Sequence, residues 1–147
     1  MTKMMASALW LQNFTAVYRE LGTDNLEALR KIYHPEVVFC DPLHRVEGLD
    51  NLLGYFQGLY RQVISCEFTI EHVFEVQGEA AVYWTMTFRH KQLNGSQPIV
   101  VEGHSRLKAK DNKVVYHRDY FDVGAMLYEQ LPLLGGLIRA VKRRALN

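Results

Sequence analysis

Residues 99–122, IVVEGHSRLKAKDNKVVYHRDYFD, constrain this chain more than any other stretch. Two runs rich in β-branched and aromatic residues flank the polar corner Lys110-Asp111-Asn112-Lys113, which is the composition of a β-hairpin. Counting outward from Asp111 and Asn112 as the corner sets His104 opposite Asp119 and Arg106 opposite His117, all on one face. Directly opposed residues of an antiparallel pair hold their Cβ atoms about 4.5–5.5 Å apart. A His104–Asp119 hydrogen bond is therefore expected if that face is enclosed.

The chain has 147 residues, enough for one domain with a sizeable core. Its 48% hydrophobic and 22% charged residues match globular usage and exclude disorder or a fibrous architecture. A net charge of +1 gives no global electrostatic reason to expect nucleic acid as a partner, and none is assigned. Cys40 and Cys66 lack metal-ligand or disulfide-framework spacing, and His34, His44, His72 and His90 are scattered, so neither metal nor cofactor is expected. Residues 1–14, MTKMMASALWLQNF, lack the apolar region and cleavage pattern of a secretory leader, and no apolar run approaches membrane-spanning length. The expectation is a soluble, cytoplasmic protein.

Helical spacing from about Ser7 to Leu21 predicts a first helix ended by Gly22. Asp24 opens a second, carrying Leu26, Leu29, Ile32 and Tyr33 and stopped by Pro35 after His34. Val37 to Phe39 form a short strand running into Asp41-Pro42, followed by a loop from Leu43 to Gly48. Asp50 caps a third helix with Leu52, Leu53, Phe56, Leu59, Tyr60 and Val63 on one face. Cys66 to Gln77 and Ala81 to Lys91 alternate with period two and predict long strands joined at Gly78-Glu79. After Pro132 the tail becomes basic and amphipathic, with Leu134, Leu137, Ile138 and Val141 at helical spacing and Arg139, Lys142, Arg143 and Arg144 near its end. Cations there complement the helix dipole, which is preferred over a peripheral membrane contact.

Three helices followed by a long meander make an α+β domain, with the helices packed in a strongly curved antiparallel sheet. The element order, HPEVVFCDP after the second helix and KVVYHRDYFD at the end resemble the nuclear-transport-factor-like superfamily, in its SnoaL-like polyketide cyclase branch, with ketosteroid isomerase more distant. The resemblance covers about residues 8–130. It implies a cone-shaped, cystatin-like fold over 1–131, with 132–147 as a helical tail of the same domain. In ketosteroid isomerase the aspartate of a similar strand-exit Asp-Pro pair is the base, a position matched by Asp41; its oxyanion donor aligns with His104 and its helix-borne tyrosine approximately with Tyr18. SnoaL-like cyclases project acid-base residues from the last two strands, a role that His104 and Asp119 fit.

The candidate catalytic residues are Asp41, His104 and Asp119, and the candidate substrate-binding residues Tyr18, Arg106, His117, Trp84 and Phe121. The expected ligand is a small, largely apolar carbonyl compound, and the expected chemistry a cofactor-independent isomerisation, cyclisation or elimination by proton abstraction next to the carbonyl. The resemblance and the apolar content of both sheet faces imply a homodimer through the outer face. Two bland readings stand beside these. The His104–Asp119 pair could be a buried hydrogen bond that fixes register, and the cavity could serve a binding or interaction domain without chemistry.

Overall fold

A computed structural model describes residues 7–146; Met1–Ala6, on which the leader reading partly rests, and Asn147, the last residue of the expected tail, lie outside the described residues. Helix α1 (Leu9–Glu20) is followed by strand β1 (Tyr33–Cys40), β2 (Arg45–Glu47), helix α2 (Leu49–Tyr60), the long strands β3 (Val63–Val76), β4 (Glu79–His90) and β5 (Ile99–Lys110), and β6 (Lys113–Phe121). The strands form one sheet in the order β2-β1-β6-β5-β4-β3. The sheet curls around α1 and α2 without closing. Pairing is antiparallel throughout except between β1 and β6, which run parallel, so the sheet is mixed rather than purely antiparallel.

Three local expectations change. The second helix is a six-residue 3-10 run, Leu26–Lys31, because Tyr33 already belongs to β1 and is fully buried beneath α1, leaving little chain for a longer helix. Pro35 does not stop a helix but lies within β1, where the pairing to β6 jumps from Tyr33↔Val114 to Val38↔Tyr116. A proline cannot donate to a ladder and is tolerated at such an irregularity. The expected loop from Leu43 to Gly48 contains the short edge strand β2.

The hairpin forms at the expected corner but not in the expected register. Lys110 faces Lys113 and Ala109 faces Val114; then Lys108 faces Tyr116, skipping Val115. This β-bulge shifts every later pair by one residue. His104 faces Tyr120, Ser105 faces Asp119, Arg106 faces Arg118 and Leu107 faces His117. Since successive side chains point to opposite faces, the shift separates the four expected partners: His117 and Asp119 point into the cone, His104 and Arg106 out of it. Inside, Phe14, Leu29, Tyr33, Val37, Phe39, Leu52, Leu53, Val82, Leu107 and Val114 are at most 2% exposed and form the main core.

After β6, Asp122 caps the single turn α3 (Val123–Met126), its Oδ1 accepting from the Ala125 N–H at 3.2 Å. A 3-10 turn, Tyr128–Gln130, leads to α4 (Leu134–Arg144), the expected basic tail helix. Among the described residues no helix is long and apolar enough to cross a membrane.

Candidate active site

Four elements place polar side chains at one point inside this apolar cone. Tyr18 comes from α1, Tyr33 from the start of β1, His117 and Asp119 from β6, and Ser105 from β5. Tyr18 Oη lies 2.6 Å from Tyr33 Oη, Tyr33 Oη 2.7 Å from His117 Nδ1, and His117 Nε2 2.6 Å from Asp119 Oδ1. From the other side, Trp84 Nε1–H donates to Ser105 Oγ at 2.9 Å, and Ser105 donates to the same Asp119 oxygen at 2.5 Å.

An indole N–H can only donate and a carboxylate only accept, so the arm from Trp84 through Ser105 to Asp119 has a fixed direction. With neutral His117 carrying its proton on Nε2, the tyrosine arm also runs toward Asp119: Tyr18 donates to Tyr33, Tyr33 to Nδ1, and Nε2–H to the carboxylate. With His117 protonated on both nitrogens, Nδ1–H donates to Tyr33, Tyr33 to Tyr18, and the Tyr18 proton is released toward the cavity. Burial, reinforced for Tyr18 by the negative charge of Asp119, holds both phenols far above the ordinary tyrosine range, so they remain neutral donors. Asp119 Oδ2 has no protein partner among the described residues, and its side chain is 18% exposed, against 2% for His117.

Phe14, Leu21, Phe56, Phe68, Ile70 and Val82 wall the cavity onto which Tyr18, Ser105, His117 and Asp119 open. It encloses about 40 Å³, room for a water or two rather than the several hundred Å³ of ordinary ligand sites. Tyr60 separates it from an apolar pocket of about 230 Å³ lined by Leu59, Val63, Cys66, Met86, Phe88 and Met126, among others. The Tyr60 hydroxyl donates to Cys66 Sγ at 3.6 Å, a weak tether. Burial pushes the Cys66 thiol up to about 11.

The expected residues divide. Tyr18, Trp84, His117 and Asp119 meet in this network. Phe121 packs against Trp84, ring centroids 6.2 Å apart, and lines a cleft shared by Asp41, Arg118 and Asp119. Asp41 is held by its own loop: Oδ1 accepts from the N–H groups of Leu43 and His44 at 2.7 and 2.8 Å, and Oδ2 from Tyr55 at 2.6 Å. Those are the bonds of a turn-closing aspartate. His104 forms no bond with Asp119; the bulge puts its ring outside, stacked between Tyr83 and Tyr120 with both centroids 4.9 Å away. Arg106 is also outside and reaches Glu79 at 3.3 Å rather than His117. Among the described residues there is no cluster of three or more metal-ligating side chains.

Sequence reasoning missed Tyr33 and Ser105. Ser105 was detectable, because Ile99, Val101, Gly103, Ser105, Leu107 and Ala109 alternate with Val100, Glu102, His104, Arg106, Lys108 and Lys110, a small apolar face against a charged one. Gly103 completes the arrangement: an added Cβ would lie 2.6 Å from the Trp84 ring and 2.7 Å from the Tyr120 carbonyl oxygen, so only glycine lets the indole lie flat and reach Ser105.

Solved structures share this architecture. A protein assigned as a SnoaL-like polyketide cyclase from Jannaschia sp. CCS1 superposes with a TM-score of 0.72 at 15% identity, covering 85% of this chain and 95% of that one. A protein with a ketosteroid isomerase-like fold from Catenulispora acidiphila DSM 44928, in complex with trimethylamine, gives 0.72 at 14% identity, covering 86% and 96%. TerC co-crystallized with polyporic acid gives 0.68 at 13% identity, covering 80% and 94%. At these identities the likeness concerns the fold. No curated protein matches the chain. The sequence itself matches the SnoaL-like domain over residues 14–117, well over half its length, and the chain belongs to that family.

Proposed function

We propose that the chain binds a small, largely apolar carbonyl compound inside the cone and moves a proton at the carbon next to the carbonyl. The observation that carries this reading is the hydrogen-bond chain from two neutral phenols through His117 to a single Asp119 oxygen, in an apolar enclosure. Asp119 Oδ2 is the base, its charge held in place by His117 and Ser105. Tyr18 is the group that meets the enolate oxygen, because it alone of the tyrosine pair lines the cavity. With its hydroxyl turned from Tyr33 to the cavity, Tyr18 donates to that oxygen while Tyr33 keeps its bond to His117 Nδ1. Because the inner cavity is small, entry requires Tyr60 to rotate and join it to the apolar pocket behind. The ligand then has an apolar body for the outer pocket and a carbonyl for the inner one. A protein of similar fold in complex with trimethylamine and another co-crystallized with polyporic acid support small-molecule binding as the reading.

Incubating the protein in D2O with a panel of aryl-substituted 1,3-diketones, followed by NMR, reads deuterium entry at the carbon next to the carbonyl. Exchange above the buffer rate is expected, falling at least about 100-fold in Asp119→Asn and less in Tyr18→Phe. Saturation-transfer contact between ligand and protein without exchange would favour a ligand holder instead. Exchange unaffected by Asp119→Asn would remove Asp119 as base.

A homodimer through the outer sheet face belongs to the same proposal. Phe74 and Val76 are 64% and 67% exposed there, beside the Tyr83–His104–Tyr120 stack. Sedimentation of wild type against Tyr83→Glu tests it; a monomeric wild type would refute it.

A further inference from the structure

Surface helices normally turn their apolar stripe to the core and their charges to water; α4 is attached the other way round. Lys142 Nζ reaches Glu129 Oε1 at 3.1 Å and Asp122 Oδ2 at 3.5 Å, and Arg139 Nη1 donates to the Glu129 carbonyl at 3.0 Å. Gly135 presses so closely on that carbonyl that an added Cβ would sit 2.4 Å from its oxygen. With these polar and backbone contacts on the inner side, Leu137 and Val141 face outward, 62% and 60% exposed, while Ile138 is half-buried. Leu133 is 93% exposed, held out by a γ-turn with φ 66° in which the Leu134 N–H donates to the Pro132 carbonyl at 2.7 Å. Dipole complementarity accounts for cations in the last turn, but not for leucines facing water.

The charge around the stripe identifies what covers it. No acidic side chain follows Glu129 in the sequence, while Arg139, Lys142, Arg143 and Arg144 do. Lys142 is neutralised by its two carboxylates; Arg143 and Arg144 are exposed and form no ion pair among the described residues. Leu137, Val141 and Arg144 follow at spacings of four and three, so a cation continues the apolar line on the same side. A second copy of the helix would set these arginines against each other. An anionic lipid surface supplies both complements, acyl chains for the leucines and phosphates for the arginines.

We propose that α4 lies flat on an anionic membrane surface, with Leu133, Leu137 and Val141 at the acyl boundary and Arg143 and Arg144 at the phosphate level. Its 11 residues, a length of roughly 16 Å, suit a helix lying in the interface rather than crossing it. This docking is independent of the chemistry inside the cone.

Co-sedimentation of the full chain with vesicles of phosphatidylcholine, with and without about one third phosphatidylserine, tests it. Binding to the serine-containing vesicles is expected at least about tenfold tighter, weakening as salt rises, and no weaker in inorganic phosphate than in sodium chloride of the same ionic strength. Leu137→Gln combined with Val141→Gln, both outside the packed interior, abolishes it with an unchanged melting temperature. Arg143→Gln combined with Arg144→Gln removes the preference for serine lipid. Absence of binding at low salt, binding undiminished in the leucine-valine variant, or self-association replacing vesicle binding would each overturn the proposal.

Discussion

His117 and Asp119 stand two residues apart on one strand, both inside the cone, with Nε2 2.6 Å from Oδ1. That oxygen also accepts from Ser105. Removing the carboxylate strands two donors in a nearly dry site, and an unsatisfied buried polar group costs about 1–3 kcal/mol. Asp119→Ala is expected to lose stability on that scale or above it, and Asp119→Asn, which keeps an acceptor oxygen, to lose less. Urea denaturation measures both, and equal losses would show that the network is not satisfied through this oxygen.

Trp84 and Gly103 form a matched pair across β4 and β5. A methyl at position 103 displaces the indole, and overpacking of this kind costs about 1–3 kcal/mol. Gly103→Ala should lower the melting temperature and alter the tryptophan fluorescence of the folded protein. In a Trp84→Phe background the same substitution should cost less, because the outer indole ring that it strikes is gone and only the close approach to the Tyr120 carbonyl oxygen remains. Additive losses would refute the contact.

Cys66, with its thiol pushed up to about 11, carries roughly one thiolate per thousand molecules at pH 8. Mass spectrometry of iodoacetamide-treated Cys40→Ser protein should find almost no adduct near pH 8 and a steep rise toward pH 11. Fast labelling at pH 8 would mean that the pocket behind Tyr60 stands open to water.

Asp122 is held below its ordinary 3.8 by the Ala125 N–H that it accepts and, next, by Lys142. A depressed carboxylate contributes stability that is complete above the unfolded value and disappears as pH falls through the folded one. The attachment of α3 and α4 is therefore expected to hold at neutral pH and to loosen below about pH 4. Amide hydrogen exchange of Val123–Met126 should accelerate there, relative to the acid-catalysed baseline, before that of β5. Asp122→Asn should show the faster exchange already at pH 7.

Much of the architecture was legible because periodicity is written along single elements. The amphipathic stripe of α1 and the alternation of β4 need no knowledge of partners. The candidate site was legible only in part, for the opposite reason. His117 and Asp119 are two apart on one strand, so their shared face survives any register; a pair across two strands depends on counting from the turn, and Val115 upsets the count. Tyr33 was read as the last apolar residue of a helix, and nothing in its neighbourhood announces that its hydroxyl meets a histidine 84 positions later.

The unpaired Val115 has a meaning for descent as well as for geometry. In a lineage of this fold, gaining or losing one residue near that corner would exchange the interior and exterior of a whole strand without a single substitution. Two relatives could then keep the same catalytic letters in the same order and present them to different worlds, one to a ligand and the other to water. Aligning such chains by their letters pairs residues with different occupations; aligning them by strand parity, on either side of the inserted residue, pairs residues that do the same work.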